Sequence, residues 1–385
     1  MVDQRTAQSA TNAAAPAAVV LSCFACDRRH DAAQPATVCD DCGMPLRVDL
    51  DLPPGPPSER IRTRVSSLWR YADLLPVPIA SAVTLDEGWT PVIAVDDDVW
   101  VKDESRNPTG SFKARGMSLA VSAAVERGVQ RLVAPSAGNA AGALAAYGAR
   151  AGVPVVVAMP ADTPRAFVEE CRHYGAQVHL VDGTIADAGR FLADHRGPAD
   201  VDVSTMKEPY RVEGKKTMGY ELFEQFGGDL PDVVVYPTGG GTGLVGMWKA
   251  WNELERLGWI SSARPRLVSV QAAGCAPVVA AHALGAQSTE PWRQPTTRAF
   301  GLRVPSPIGG FVCLQAIAET GGTAIAVPET QIADATSLLA ANSGLDICPE
   351  GGAAWAAVEQ LRVKGWIRPG ERTVVFNTGT GLKYR

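Results

Sequence analysis

Lys113 closes the run Asn107-Pro108-Thr109-Gly110-Ser111-Phe112-Lys113 and is the residue best placed for covalent chemistry. Val99 to Lys102 alternates like a strand, and Ala114 to Glu126 has helical periodicity, so Lys113 sits where strand, loop and helix meet. There an amine lies near the positive end of a helix and beside Arg115, and desolvation with neighbouring cations frees its lone pair. A Schiff-base lysine requires this; a solvated lysine in a first helical turn is the alternative.

Three further loops could surround such an amine. Ser136-Ala137-Gly138-Asn139-Ala140 runs from strand to helix, so its backbone amides can receive a carboxylate, while the Asn139 amide offers a donor and an acceptor. A plain helix cap would read the same. Thr238-Gly239-Gly240-Gly241-Thr242-Gly243 follows a strand and opens a helix, where unhindered amides cradle phosphate. So many glycines at a helix start are costly unless backbone must approach something closely. The third loop, Asn377-Thr378-Gly379-Thr380-Gly381-Leu382-Lys383, follows the last strand and could equally be an ordinary turn.

Cys23 and Cys26, then Cys39 and Cys42, form two Cys-x-x-Cys knuckles that can offer four thiolates to a structural zinc. Two disulfides or a redox pair compete with this reading, but no secretory signal accompanies the cysteines. A closed four-thiolate site leaves no position for substrate. Cys171, Cys275, Cys313 and Cys348 are scattered in apolar contexts and read as small hydrophobes.

The elements that position these residues follow from pattern. The chain has 385 residues, close to half of them apolar, enough for two or three domains with sizeable cores. A net charge of -5 and the absence of a basic tract argue against nucleic acid and anionic membrane as partners. Residues 1-20 read as a flexible leader, no stretch is apolar and long enough to span a membrane, and a cytoplasmic location is expected. A module over 21-57 ends in the stiff linker Asp51-Leu52-Pro53-Pro54-Gly55-Pro56-Pro57. Beyond it, strands and helices alternate: 131-134 with 140-151, 153-159 with 164-174, 177-181 with 185-195, 233-236 with 244-256, 266-271 with 275-284, and a last strand at 373-376. Such alternation builds parallel sheets covered on both faces, with ligands beyond the carboxyl ends of the strands.

Gly241, Gly243 and Gly246 formally satisfy a dinucleotide fingerprint, but the next strand ends at Gln271 and supplies no carboxylate for a ribose. Neither a Walker lysine nor a nucleophile elbow is present, and the five histidines form no evident metal cluster.

Taken in order, the Lys113 run, Ser136 to Asn139, Tyr210-Arg211-Val212-Glu213-Gly214-Lys215-Lys216-Thr217, Pro237 to Gly243 and Gly379 to Lys383 resemble fold-type II pyridoxal-phosphate enzymes, and among these the threonine synthases. The resemblance spans residues 60 to 385 and implies an α/β, two-domain, tryptophan synthase β-like fold with a small N-terminal zinc ribbon. It implies a large cofactor-binding domain from 58-112 and 207-385, a small α/β domain from 113-206, and a homodimer.

It also implies roles. Lys113 would carry pyridoxal 5'-phosphate covalently and move protons; Gly239, Gly240, Gly241, Thr242 and Gly243 would bind its phosphate; Asn139 would bond its ring hydroxyl; Thr378 would face its pyridine nitrogen. A hydroxyl, unlike an aspartate, does not enforce a protonated ring. Ser136, Ala137 and Gly138 would hold the substrate carboxylate. The implied reaction converts O-phosphohomoserine and water to threonine and phosphate. Its substrate needs a cationic pocket, for which Lys102, Arg115, Lys207, Arg211, Lys215 and Lys216 are candidates, Arg211 first because a guanidinium fork matches phosphate.

The sequence departs from that family in three places. Ala114 stands where an aspartate is usual, Lys207-Glu208 where an asparagine precedes the proline, and Thr380 where a histidine is common. Glu208 beside a substrate phosphate would call for neutralisation by Lys207 or Lys216. Elimination or β-replacement on serine, threonine or another activated amino acid is the neighbouring reading; a non-catalytic cofactor or amino-acid binding protein is a third.

Overall fold

The computed structural model describes residues 19–52 and 54–385, so most of the expected leader, and Pro53 of the linker, lie outside the described residues. The cysteine module is a three-stranded antiparallel sheet of β1 (Val19–Cys23), β2 (Arg29–His30) and β3 (Leu46–Leu50), in the order β2-β1-β3. Leu46, Val48 and Leu50 alternate inward along β3, as a half-covered strand requires. The one-turn helix α1 (Pro57–Arg60) follows the linker.

Strands β4 (Val92–Asp96) and β5 (Val99–Asp103) form a hairpin, and α2 (Lys113–Glu126) begins at the predicted lysine. Next come β6 (Arg131–Pro135), α3 (Asn139–Ala151), β7 (Val155–Pro160), α4 (Arg165–His173), β8 (Gln177–Val181), α5 (Ile185–His195) and β9 (Asp200–Asp202). Their strands make a parallel sheet ordered β8-β7-β6-β9. The chain continues through α6 (Tyr210–Gln225), β10 (Val233–Pro237), α7 (Thr242–Arg256), β11 (Arg266–Ala272), α8 (Pro277–Ala283), α9 (Gly310–Glu319), β12 (Thr323–Val327), α10 (Glu329–Ser343), α11 (Pro349–Val363) and β13 (Thr373–Asn377).

The larger sheet runs β12-β11-β10-β13-β5-β4, parallel except at the β4 edge. All residues of β10 and β13 are buried, because helices cover both faces of a parallel sheet; the polar ends of β13 are satisfied there, Thr373 by the Glu371 carbonyl and Asn377 by Asp103 Oδ1. Placing β13 beside β5 carries the end of the chain back to the lysine loop: Phe112 N–H donates to the Thr378 carbonyl at 3.1 Å, and Ser111 bridges Gly379.

Most of the expected strands and helices recur with shifted ends. α8 starts at Pro277, not Cys275, since proline presets the first helical turn. Sequence reading did not anticipate β4, β9, β12, α6, α9, α10 or α11.

Candidate active site

Lys113 is the first residue of α2 and lines a cavity of about 950 Å³ between the two parallel sheets. The residue is half-buried, and its amine lies 4.2 Å from the centre of the Phe112 ring. Burial first, then the nearby Arg211 charge, lower its pKa to about 7, while Glu350 and Cys348 oppose the shift. An amine so placed is largely able to act as nucleophile or base near neutral pH.

Ser136, Ala137, Gly138 and Asn139 line the same cavity, as do Gly239, Gly240, Gly241, Thr242, Gly243 and Thr378. The glycine loop ends where α7 begins, so its amides stand at a helix N-terminus. Gly241 has φ of 83°, a conformation that favours glycine, and a Cβ on Gly239 would lie 2.1 Å from the Gly301 carbonyl oxygen. The loop is thus shaped by its own packing as well as being open to an anion. Thr378 is buried, its hydroxyl 3.7 Å from Cys348 Sγ.

Two of the expected substrate-binding cations stand elsewhere. Lys102 is fully buried and donates to Glu221 Oε2 at 2.6 Å, to the Thr90 carbonyl at 2.7 Å and to Gln225 Oε1 at 2.9 Å. Arg115 is also fully buried, bonded to Glu104 Oε2 at 2.6 Å, Glu221 Oε2 at 2.8 Å and Thr217 Oγ1 at 3.0 Å. Both expectations are corrected: these charges are consumed by interior carboxylates, since a buried cation needs a fixed partner. Arg115 is likewise not the cation that perturbs Lys113; Arg211 is.

Arg211, the cation expected first for the substrate phosphate, is buried and is likewise not among the residues lining the cavity; its Nη1 donates to the Val203 carbonyl at 2.7 Å, while Nε and Nη2 are without partners among the described residues. Burial lowers its pKa to about 10 and leaves it charged at neutral pH. Glu208 is not turned toward a ligand. Its carboxylate accepts the Tyr210 N–H at 3.1 Å and the Arg211 N–H at 2.8 Å, capping the first turn of α6. Burial nonetheless raises its pKa to about 7.

The other basic residues of this stretch divide. Lys216 is paired with Glu213 at 2.7 Å and Glu253 at 3.0 Å, and therefore neutralises nothing at the cavity. Lys207 lines the cavity 3.4 Å from Asp202. Lys215 is buried with Nζ donating to Thr242 Oγ1 at 2.7 Å, and burial, followed by Arg211 and Lys113, pushes its pKa far down.

Several cavity residues escaped sequence reading. Glu350, Tyr384, Arg190, Arg196 and Arg303 all line it. Glu350 Oε1 accepts from Gly301 N–H at 2.7 Å and Tyr384 Oη at 2.9 Å, whereas Oε2 is buried without a partner among the described residues. Its place after Pro349 at a helix start was the one signal available. Gln271, which spoke against a nicotinamide cofactor, accepts at Oε1 from the Val278 N–H at 2.9 Å and so anchors α8.

Remote from this cavity, the four cysteine sulfurs lie within 4.8 Å of one another. Neighbouring Sγ separations are 3.5 to 3.6 Å. A tetrahedron with Zn–S bonds of about 2.3 Å has edges of roughly 3.8 Å, whereas a disulfide needs about 2.05 Å. No disulfide joins any two of the four.

The sequence profile described as "Pyridoxal-phosphate dependent enzyme" matches residues 83–379. The threonine synthase of Methanosarcina acetivorans is 34% identical over 373 residues, 94% of this chain and 92% of that protein. That of Methanocaldococcus jannaschii is 33% identical over 374 residues, with the same coverage of 94% and 92%. Among solved structures, a fungal L-serine ammonia-lyase from Rhizomucor miehei shares the fold with a TM-score of 0.65 at 21% identity, over 77% of this chain and 97% of that one. The chain belongs to the pyridoxal-phosphate dependent enzymes and, within them, to the threonine synthase family.

Proposed function

We propose that this chain converts O-phospho-L-homoserine and water to L-threonine and phosphate. The observation that carries the reading is the meeting, at one cavity, of a lysine amine with a pKa of about 7, two loops that open helices, and the cations Lys207, Arg190, Arg196 and Arg303.

The cavity fits pyridoxal phosphate. A perturbed lysine is available for the carbonyl carbon, and a helix-opening glycine loop with no room for side chains is available for the phosphate. Lys113 would hold the cofactor covalently, the amides of Gly239 to Gly243 its phosphate, Asn139 its ring oxygen, and the Thr378 hydroxyl its ring nitrogen. Bound there, the cofactor supplies an electron sink for carbanions at the substrate α- and β-carbons. Backbone amides of Ser136 to Asn139 orient the substrate carboxylate. The Lys113 amine would take the α-proton and could return it, a role suited to an amine whose pKa in the cofactor-free chain lies close to neutral pH. Lys207, Arg190, Arg196 and Arg303 offer positive charge to the phosphate that leaves from the γ-carbon.

We further propose structural zinc at Cys23, Cys26, Cys39 and Cys42, a large domain of 58-112 and 207-385, a small domain of 113-206, and a cytoplasmic homodimer. Release of inorganic phosphate and threonine from O-phosphohomoserine tests the reaction. Equal release of both by the wild type, lost in Lys113→Ala, is expected. Turnover of serine or threonine with no phosphate release would transfer the chain to the elimination reading.

A further inference from the structure

The two ends of the Asn139 amide do opposite chemistry: its oxygen only accepts and its nitrogen only donates. Which end faces the cofactor ring therefore decides whether Asn139 can bond a ring oxygen. Lys383, in the 3-10 turn Gly381–Tyr384, determines this. Its Nζ donates to Asn139 Oδ1 at 3.1 Å, to the Thr109 carbonyl at 2.7 Å, and to Glu170 Oε1 and Oε2 at 2.7 and 2.8 Å.

An ammonium has no lone pair to offer, so the amide must present its oxygen to Lys383 and turn Nδ2 away. Nδ2 then lies toward the loop after Thr378, where a Cβ on Gly379 would stand 3.3 Å from it. The arrangement is built in from a second side. Glu170 of α4 reaches Lys383 only because α3 carries glycine at 142, where a Cβ would lie 2.3 Å from Glu170 Oε2.

We propose that Lys383 is a positioning residue that locks the Asn139 amide with its donor toward the cofactor ring. It also joins that contact to the seating of α3 and α4 against the Thr109 loop, which leads into Lys113. The inference rests on the ring contact of Asn139 proposed above.

The test loads pyridoxal phosphate into wild type, Asn139→Ala, Lys383→Met, Lys383→Arg and the Asn139→Ala/Lys383→Met double variant, and records the visible absorbance band and the cofactor Kd. Asn139→Ala should shift the band and weaken binding roughly tenfold, the effect of losing one hydrogen bond to a charged acceptor. Lys383→Met should move both readouts the same way, the double variant no further than Asn139→Ala, and Lys383→Arg should stay close to wild type. A wild-type band and Kd in Lys383→Met beside an altered Asn139→Ala would overturn the inference alone. An unaltered Asn139→Ala would overturn the ring contact and the inference together. Should Lys383→Met not fold, Glu170→Gln removes the counter-charge that holds the ammonium; it should shift the band in the same direction, and wild-type values there would overturn the proposal.

Discussion

Lys102 Nζ and Glu221 Oε2 lie 2.6 Å apart with neither side chain exposed, and Arg115 grips the same carboxylate from α2. Glu104 completes the group at 2.6 Å from Arg115 Nε. Removing one member strands an opposite charge in the interior, which costs about 3 to 5 kcal/mol. Glu221→Gln should lose stability of that order in urea denaturation, while a rim pair such as Arg165 with Glu169 should contribute under about 1 kcal/mol.

Acid sensitivity follows from the same carboxylate. Although burial opposes ionisation, Arg115 and Lys102 prevail and hold Glu221 at about 2, below its ordinary 4.5. The folded chain thus binds this proton less tightly than the unfolded chain, so the stabilisation is complete above the ordinary value and falls as pH drops toward about 2. Denaturation midpoints measured across that window should decline more steeply for the wild type than for Glu221→Gln. Parallel curves would show that Glu221 is not the titrating group.

Lys113 should titrate near neutrality in cofactor-free protein. Acetylation of Lys113, followed by mass spectrometry against pH, should show a midpoint near 7 in place of the ordinary 10.5. Arg211→Met removes a positive neighbour that disfavours the charged amine, so its midpoint should rise. A midpoint near 10.5 in the wild type would remove the case for an activated amine.

Lys215 carries a buried amine that bonds no carboxylate among the described residues; its partner is the Thr242 hydroxyl. Its folded pKa is depressed, so the cost of burying it is absent above the ordinary 10.5 and grows as pH falls below that value. Lys215→Met should accordingly raise the stability of cofactor-free protein at pH 7 and, because Nζ bonds Thr242 in the glycine loop, weaken binding of pyridoxal phosphate more than that of pyridoxal. Reduced stability with unaltered cofactor affinity would contradict both parts.

Purified protein should hold one zinc per chain. Chelation, or Cys26→Ser with Cys42→Ser, should release it and lower the unfolding temperature, because a structural site contributes its binding energy to folding. Metal-free protein with an unchanged unfolding temperature would argue for bare thiols.

What was legible in the sequence was local. Val99 to Lys102, the Asn107 to Lys113 loop and the α2 periodicity locate Lys113 because strand, turn and helix signals sit within a few residues. The same holds for Asn139 and the Gly239 to Gly243 loop. Lys102 and Arg115 were misassigned because their partner Glu221 is 119 and 106 residues away, and they meet it only where α6 packs beside both β5 and α2. Glu350 was passed over, and Lys383 was named within its loop but given no role, for a related reason: their partners Gly301, Tyr384, Asn139 and Glu170 lie between 34 and 244 residues away, a distance no periodicity encodes.

The cysteine module also reaches two of the helices that start at the cavity, α2 and α7. Lys249 of α7 donates to the Val48 carbonyl on β3, and Arg127, just past α2, donates to the Ala32 carbonyl at 2.8 Å. Leu21, Val48 and Leu50 share one apolar cluster with Trp69, Leu119, Ala123 and Tyr210. A chain shortened at the proline-rich linker would therefore bare an oily face on the remaining body and invite aggregation. What resembles a detachable bead along the sequence is, in folding terms, the missing side of its neighbour's core.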